Sequence, residues 1–194
     1  MKETPKKLFA AYVGESQARN RYTFFSSIAK KEGYGLVAKI FQETADQEKT
    51  HGSWFYKMLQ EFKKDENFDD FNVNEMYPTT YGNTIENLKS AVNGETMEYT
   101  KIYPDIAETA KKEGYPNIAS RTIAISRAEQ HHAERYDKLL KLIGDDAFFK
   151  RGEKVVWICL ECGYEVEMDE IPKDWICPSC SHPRAYFRKK CEDF

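Results

Sequence analysis

Apolar and small residues recur every three to four positions along the first three quarters of the chain. From residue 8 the run is Leu8, Tyr12, Ala18, Tyr22, Phe25 and Ala29; from residue 37 it is Val37, Ile40, Phe55 and Met58. Leu88, Val92, Ile102 and Ile106 continue the pattern, as do Ile125, Tyr136 and Leu139. A period near 3.6 predicts amphipathic helices, here four of them. The first starts with Thr4 as N-cap and Pro5 in the first helical position, and ends near Gly33. The second runs from about Gly35 to Lys63. A connection of roughly 20 residues follows, containing Asp69, Asp70, Pro78 and Gly82. Loops that long are uncommon in compact domains, but a bundle needs one where the chain crosses its length. Asn83 with Glu86 reads as a capping box for the third helix, which ends at Gly114, and Pro116 opens the fourth, which ends at Gly144.

Composition changes that picture in one place. The 194 residues suffice for one good core plus a small satellite. A net charge of −3 argues against a nucleic-acid partner. No apolar run approaches ~18 residues and the N-terminus has no apolar targeting core, so a soluble cytoplasmic protein with no membrane partner is expected. All five cysteines, at 159, 162, 177, 180 and 191, fall at the C-terminal end. The expected division is a bundle over 1–144, a linker over 145–154 and a cysteine domain over 155–194, with Phe148 and Phe149 docking against the bundle.

The apolar stripes contain residues that do not belong in a core. Glu15 lies in the first stripe, Thr44, Glu48 and His51 in the second, Glu95 and Glu98 in the third, and Thr122, Glu129 and His132 in the fourth. A single helical glutamate normally faces solvent. Five on inward faces, with no basic residue beside them, would each cost several kcal/mol if buried without partners. Metal cations compensate such a set. His131 lies about 100° around the helix from His132 and is read as facing out.

A repeat supports this reading. AKKEGY at 29–34 returns at 110–115, and at the same offset of 81 Glu48-x-x-His51 maps onto Glu129-x-x-His132 and Tyr22 onto Tyr103. Glutamate and histidine at i, i+3 share one side of a helix. One glutamate from each of two helices with Glu-x-x-His from the other two is the di-iron carboxylate pattern of ferritin-like bundles. Glu15, Glu48 and His51 make one half, and Glu95, Glu129 and His132 the other. Oxygen-rich, two-histidine ligation suits iron or manganese better than zinc. Gly14-Glu15, however, maps onto Gly94-Glu95 at offset 80. The third helix therefore holds one extra residue between Glu95 and Tyr103, which predicts a π-bulge beside Pro104.

The cysteine spacing is C-x2-C-x14-C-x2-C, two knuckles that can close a four-sulfur site on Cys159, Cys162, Cys177 and Cys180. By spacing alone a zinc ribbon is the leading reading. Gly163-Tyr164, Pro178 and the aromatics Trp175 and Phe187 shift it toward an iron site. Cys191 is spare, and His182 is expected beside the second knuckle rather than on the metal.

Together, GESQARNRY at 14–22, EKTH at 48–51, GETMEYTKIYP at 94–104, AEQHHAERY at 128–136, and CGY with CPSCSHP resemble the rubrerythrin family over essentially the whole chain. The 14 residues between the knuckles are slightly more than the family's usual spacing. The resemblance implies a mainly α fold: a ferritin-like four-helix bundle with a long crossover after its second helix, then a rubredoxin-like domain. It implies a di-iron centre on Glu15, Glu48, His51, Glu95, Glu98, Glu129 and His132. It also implies one mononuclear iron on Cys159, Cys162, Cys177 and Cys180, a site that zinc can also fill. Tyr22 and Tyr103 become candidates for orienting the carboxylates. The implied activity is reduction of hydrogen peroxide to water with electrons from NAD(P)H through a separate reductase or rubredoxin, in a homodimer arranged head to tail or with swapped helices. One iron is expected to exchange His51 for Glu98 on oxidation. The alternative is a ferritin-like ferroxidase or iron-handling protein.

Overall fold

The computed structural model describes residues 2–63 and 68–194; Lys64 to Asn67, inside the expected crossover, lie outside the described residues. Helix α1 spans Glu3–Lys31 and α2 spans Gly35–Phe62. The third helix of the bundle is built in three pieces: α3 (Thr84–Met97), a π segment (Glu98–Ile102) and α4 (Tyr103–Lys112). Helix α5 (Pro116–Gly144) completes the bundle. A three-stranded antiparallel sheet follows, order β2-β1-β3, from β1 (Lys150–Cys159), β2 (Glu165–Glu170) and β3 (Phe187–Lys189). Strand β1 begins inside the stretch read as linker.

The repeat builds the same turn twice. Gly33 and Gly114 take φ of +85° and +89°, open to glycine without strain. The N–H groups of Tyr34 and Tyr115 close back onto the carbonyls of Ala29 and Ala110, both at 2.8 Å, satisfying carbonyls left open by the helix end. The glutamates of the two copies then work across the bundle. Glu32 accepts the Thr84 N–H that opens α3 at 2.9 Å. Glu113 accepts the N–H of Glu3 at 2.8 Å, the N–H of Thr4 at 3.1 Å and the Thr4 hydroxyl at 2.6 Å. This corrects the expected start of α1: Thr4 is inside the helix, and the cap comes from Glu113. The Asn83–Glu86 capping box forms as expected.

The predicted stripes are mostly buried; Tyr12 and Val92 are half-buried, and one position is turned out. Leu8, Tyr22, Phe25, Ala29, Val37, Ile40, Phe55, Leu88, Ile106, Ile125, Tyr136 and Leu139 are all in the core. Ile102, read as inward, is instead 41% exposed, and Tyr103 takes the core position. The π segment explains the change, since one extra residue turns everything after it by about 100°. Pro104 sits in the first turn of α4, where its missing N–H costs least.

The sheet domain packs onto the open end of the bundle. Phe148 and Phe149 are buried, with ring centroids 5.3 and 6.3 Å from that of Tyr34. A Cβ at Gly35 would meet the carbonyl oxygen of Ala185 at 2.4 Å, so only glycine allows this approach. Trp157, Ile171 and Phe187 fill the small core, which is continuous with the upper part of the bundle core. Among the described residues, no helix is long and apolar enough to cross a membrane.

Candidate metal centres

The six paired ligand candidates converge midway along the bundle. Oxygen and nitrogen atoms of Glu15, Glu48, His51 and Glu129 lie within 4.8 Å of one another, and so do those of Glu48, Glu95, Glu129 and His132. Glu48 and Glu129 belong to both groups and stand between them. Both imidazoles approach through Nδ1. His51 Nδ1 is 3.0 Å from Glu48 Oε2 and 2.8 Å from Glu129 Oε1. His132 Nδ1 is 2.8 Å from Glu129 Oε2, 3.1 Å from Glu48 Oε1 and 3.5 Å from Glu95 Oε2. Glu98 is not in either group; it lies half-buried at the start of the π segment, beside the cluster. His131 is exposed, as its helix position requires.

The tyrosines cross between the halves. Tyr22 on α1 donates its hydroxyl proton to Glu95 on α3, and Tyr103 on α4 donates to Glu15 on α1 at 2.5 Å. Two further contacts were not legible in the sequence. Gln47 Oε1 lies 2.8 Å from Nε2 of His132, and buried Arg135 pairs with Glu43 at 2.9 Å. Arg135 is thus a buried cation near the cluster, but it spends its charge on Glu43.

The electrostatics of the protein atoms alone leave the cluster with too much negative charge. Burial, then the charges of Glu48 and Glu129, raise Glu15 well above the usual carboxylate range. Burial and Glu48 push Glu95 up to about 8. Burial and Glu95 raise Glu98 likewise. Burial opposes ionisation of Glu48, yet the ring nitrogens of His132 and His51 facing its oxygens hold it at about 2. Burial disfavours both imidazolium ions, but the carboxylates win, raising His51 to about 9 and His132 to about 12. Five carboxylates outnumber two imidazoles. Glu15 Oε2, Glu48 Oε1, Glu95 Oε2, both oxygens of Glu129 and Nδ1 of His132 also lack a hydrogen-bond partner of good geometry. Buried polar atoms are rarely left so. Two divalent cations with oxygen and imidazole preference fit this donor set.

The second cluster is equally formed. The four sulfurs of Cys159, Cys162, Cys177 and Cys180 lie within 4.8 Å of one another, with Cys159–Cys180 at 3.7 Å and Cys162–Cys177 at 3.6 Å. A tetrahedron with metal–sulfur bonds of about 2.3 Å has edges of about 3.8 Å, so the spacing fits one tetrahedral ion and no disulfide. The Tyr164 N–H holds the Cys162 thiol down at about 6. His182 Nδ1 lies 3.3 Å from Cys180 Sγ, outside the four ligands, and Cys191 is exposed and apart.

A four-helix bundle with paired carboxylate–histidine clusters, joined to a four-thiolate knuckle, defines a ferritin-like di-iron protein carrying a rubredoxin-like domain. The Rubrerythrin family model matches residues 6–140, and the model for the rubrerythrin rubredoxin-like domain matches 157–188. Rubrerythrin-1 of Clostridium acetobutylicum is 43% identical, covering 99% of this chain and 96% of its own. The rubrerythrin of Porphyromonas gingivalis is 43% identical over 95% of this chain and 88% of its own. The fully reduced, all-ferrous structure of nigerythrin superposes with a TM-score of 0.63 at 29% identity, over 96% of this chain and 86% of that one. The chain belongs to the rubrerythrin family.

Proposed function

We propose that this chain reduces hydrogen peroxide to water in the cytoplasm as a defence against oxidative stress. One observation carries the reading: a buried cluster of carboxylates and imidazoles occurs in the same chain as a four-thiolate site. Glu15, Glu48 and His51 would hold one ion and Glu95, Glu129 and His132 the other. Glu48 and Glu129 would bridge them, and Glu98 stands ready at the wide turn. When loaded, the carboxylate site supplies two one-electron metal ions for a two-electron reduction, and the thiolate site supplies a one-electron carrier. Tyr22 and Tyr103 hold Glu95 and Glu15 in place by donating to one oxygen of each, which leaves the other oxygen for a cation. Electrons would come from NAD(P)H through a separate reductase or rubredoxin. A ferritin-like iron-oxidising role would use the same bundle but gives the fused thiolate site no task.

The assembly in this reading is a homodimer, arranged head to tail or with swapped helices, in which each thiolate centre serves the partner's bundle. Mixing Cys177→Ser chains with Glu129→Ala chains then restores turnover that neither variant has alone; a fully active monomer in sedimentation removes the dimer from the reading. The peroxidase itself is tested by anaerobic reduction followed by peroxide or dioxygen in separate runs. Peroxide should reoxidise the protein rapidly and dioxygen slowly; the reverse order would favour the iron-oxidising role.

A further inference from the structure

A cavity of about 880 Å³ opens beside the metal cluster, between α1 and the π-containing third helix and under residues 75–80. Glu98 and Tyr103 form part of its wall, and Tyr103 donates to Glu15, so the cavity reaches the outer side of the cluster through these two side chains, while the six clustered side chains themselves do not line it. Hydrogen peroxide has two heavy atoms and needs little more space than a water, which takes about 30 Å³. Cavities of roughly 300–1,000 Å³ fit small organic molecules. One wall is apolar: Ala10 and Ala11 on α1 face Met97, Ile102 and Ile106 across the space. Met97 is 47% exposed and Ile102 41%. The π segment is what turned Ile102 out of the core stripe, and it turned it into this wall. The lining also carries four basic and four acidic side chains, Arg21 and Glu98 among them, so the charge balance favours a neutral occupant.

We infer that the cavity admits neutral alkyl or aryl hydroperoxides, with the organic group against Met97 and Ile102 and the O–O end toward Glu98. The inference rests on the peroxidase reading and names its wider substrate class. The reaction balances as for hydrogen peroxide. The O–O bond of ROOH breaks, two electrons from NAD(P)H through the same donors and two protons enter, and ROH and water leave.

Two measurements on the full-length chain test it. In protein loaded with zinc, which is closed-shell, and labelled with ¹³C at methionine methyls, cumyl alcohol stands in for the product of cumene hydroperoxide. The Met97 methyl should shift saturably while the buried Met58 methyl stays still. In the iron-loaded enzyme, wild type should reduce both cumene hydroperoxide and hydrogen peroxide. Ile102→Trp and Met97→Trp should each lower kcat/KM for cumene hydroperoxide at least about tenfold relative to hydrogen peroxide, the low end of what one methylene is worth in an apolar pocket. Absence of a saturable Met97 shift, or a wild type that reduces hydrogen peroxide alone, overturns the inference and leaves the peroxidase reading standing. So does an unchanged ratio in both variants. A wild type that reduces neither peroxide overturns both.

Discussion

Gln47 Oε1 accepts from Nε2 of His132 at 2.8 Å, across the packing of α2 on α5. That bond keeps a proton on Nε2, so the proton a cation must displace is the one on Nδ1, which faces Glu129 and Glu48. Gln47 itself is exposed, so Gln47→Leu should fold normally. Outer partners of histidine ligands are typically worth about 10–100-fold in metal affinity. A chelator-competition titration with ferrous iron should show a loss of that order, and Gln47→Glu, which keeps the acceptor, should restore most of it. Equal affinity in wild type and Gln47→Leu would remove this role.

The π segment places Glu98 beside the cluster that the six paired candidates form. An extra carboxylate stabilises the more highly charged, oxidised pair. Glu98→Ala should therefore retain two ferrous ions, raise the reduction potential and slow reoxidation by peroxide. Potentiometry and stopped-flow absorbance read these effects separately, and unchanged peroxide kinetics would exclude them.

Metal loading should weaken as pH falls. Without metal, Glu95 titrates at about 8, with Glu15 and Glu98 also raised, while His51 and His132 titrate at about 9 and 12. At neutral pH these groups hold protons that a cation must displace, so loading releases protons and lower pH opposes it. Calorimetry of ferrous binding in buffers of different ionisation enthalpy should reveal net proton release, larger at pH 6.5 than at pH 9.5; a heat independent of buffer would contradict it.

Glu113 caps α1 from the far end of the third helix. Burial alone would raise its carboxyl, but bonds from the Thr4 hydroxyl and the N–H groups of Glu3 and Thr4 hold it lower than usual. Its folded value lies below its unfolded one, so this stabilisation is present above the ordinary carboxylate range and is lost as pH falls from that range through the lower folded value. Glu113→Ala should cost about 1 kcal/mol at pH 7, the usual worth of a helix cap. Urea unfolding checks the value, and the difference from wild type should shrink at pH 3.

The helices, the capping box, the convergence of the paired glutamate–histidine positions and the two cysteine knuckles are legible because each follows a local rule of spacing. The exceptions involve distant segments. A straight 3.6 period puts Ile102 inward, but the register of this helix slips at the π segment. The extra residue is visible in the offset of the repeat, but the offset does not say which side chain turns outward. Thr4 satisfies the local rule for a cap, whereas the actual cap, Glu113, is 109 positions away. Gln47 gave no signal, since an exposed glutamine on a helix has no pattern that distinguishes it. Arg135 carries no local signal either, since its partner, Glu43, lies on another helix.

The way the ligand groups interleave bears on the origin of the repeat. The first hairpin supplies Glu15, Glu48 and His51, but its cluster is completed by Glu129; the second supplies Glu95, Glu129 and His132 and is completed by Glu48. The tyrosines and the capping glutamates trade partners in the same way. A lone ancestral hairpin would have held three ligands and found the fourth on another copy of itself. Fusion of two such copies would have turned a metal-dependent meeting of separate chains into a folding step within one polypeptide, with the crossover as the record of the join.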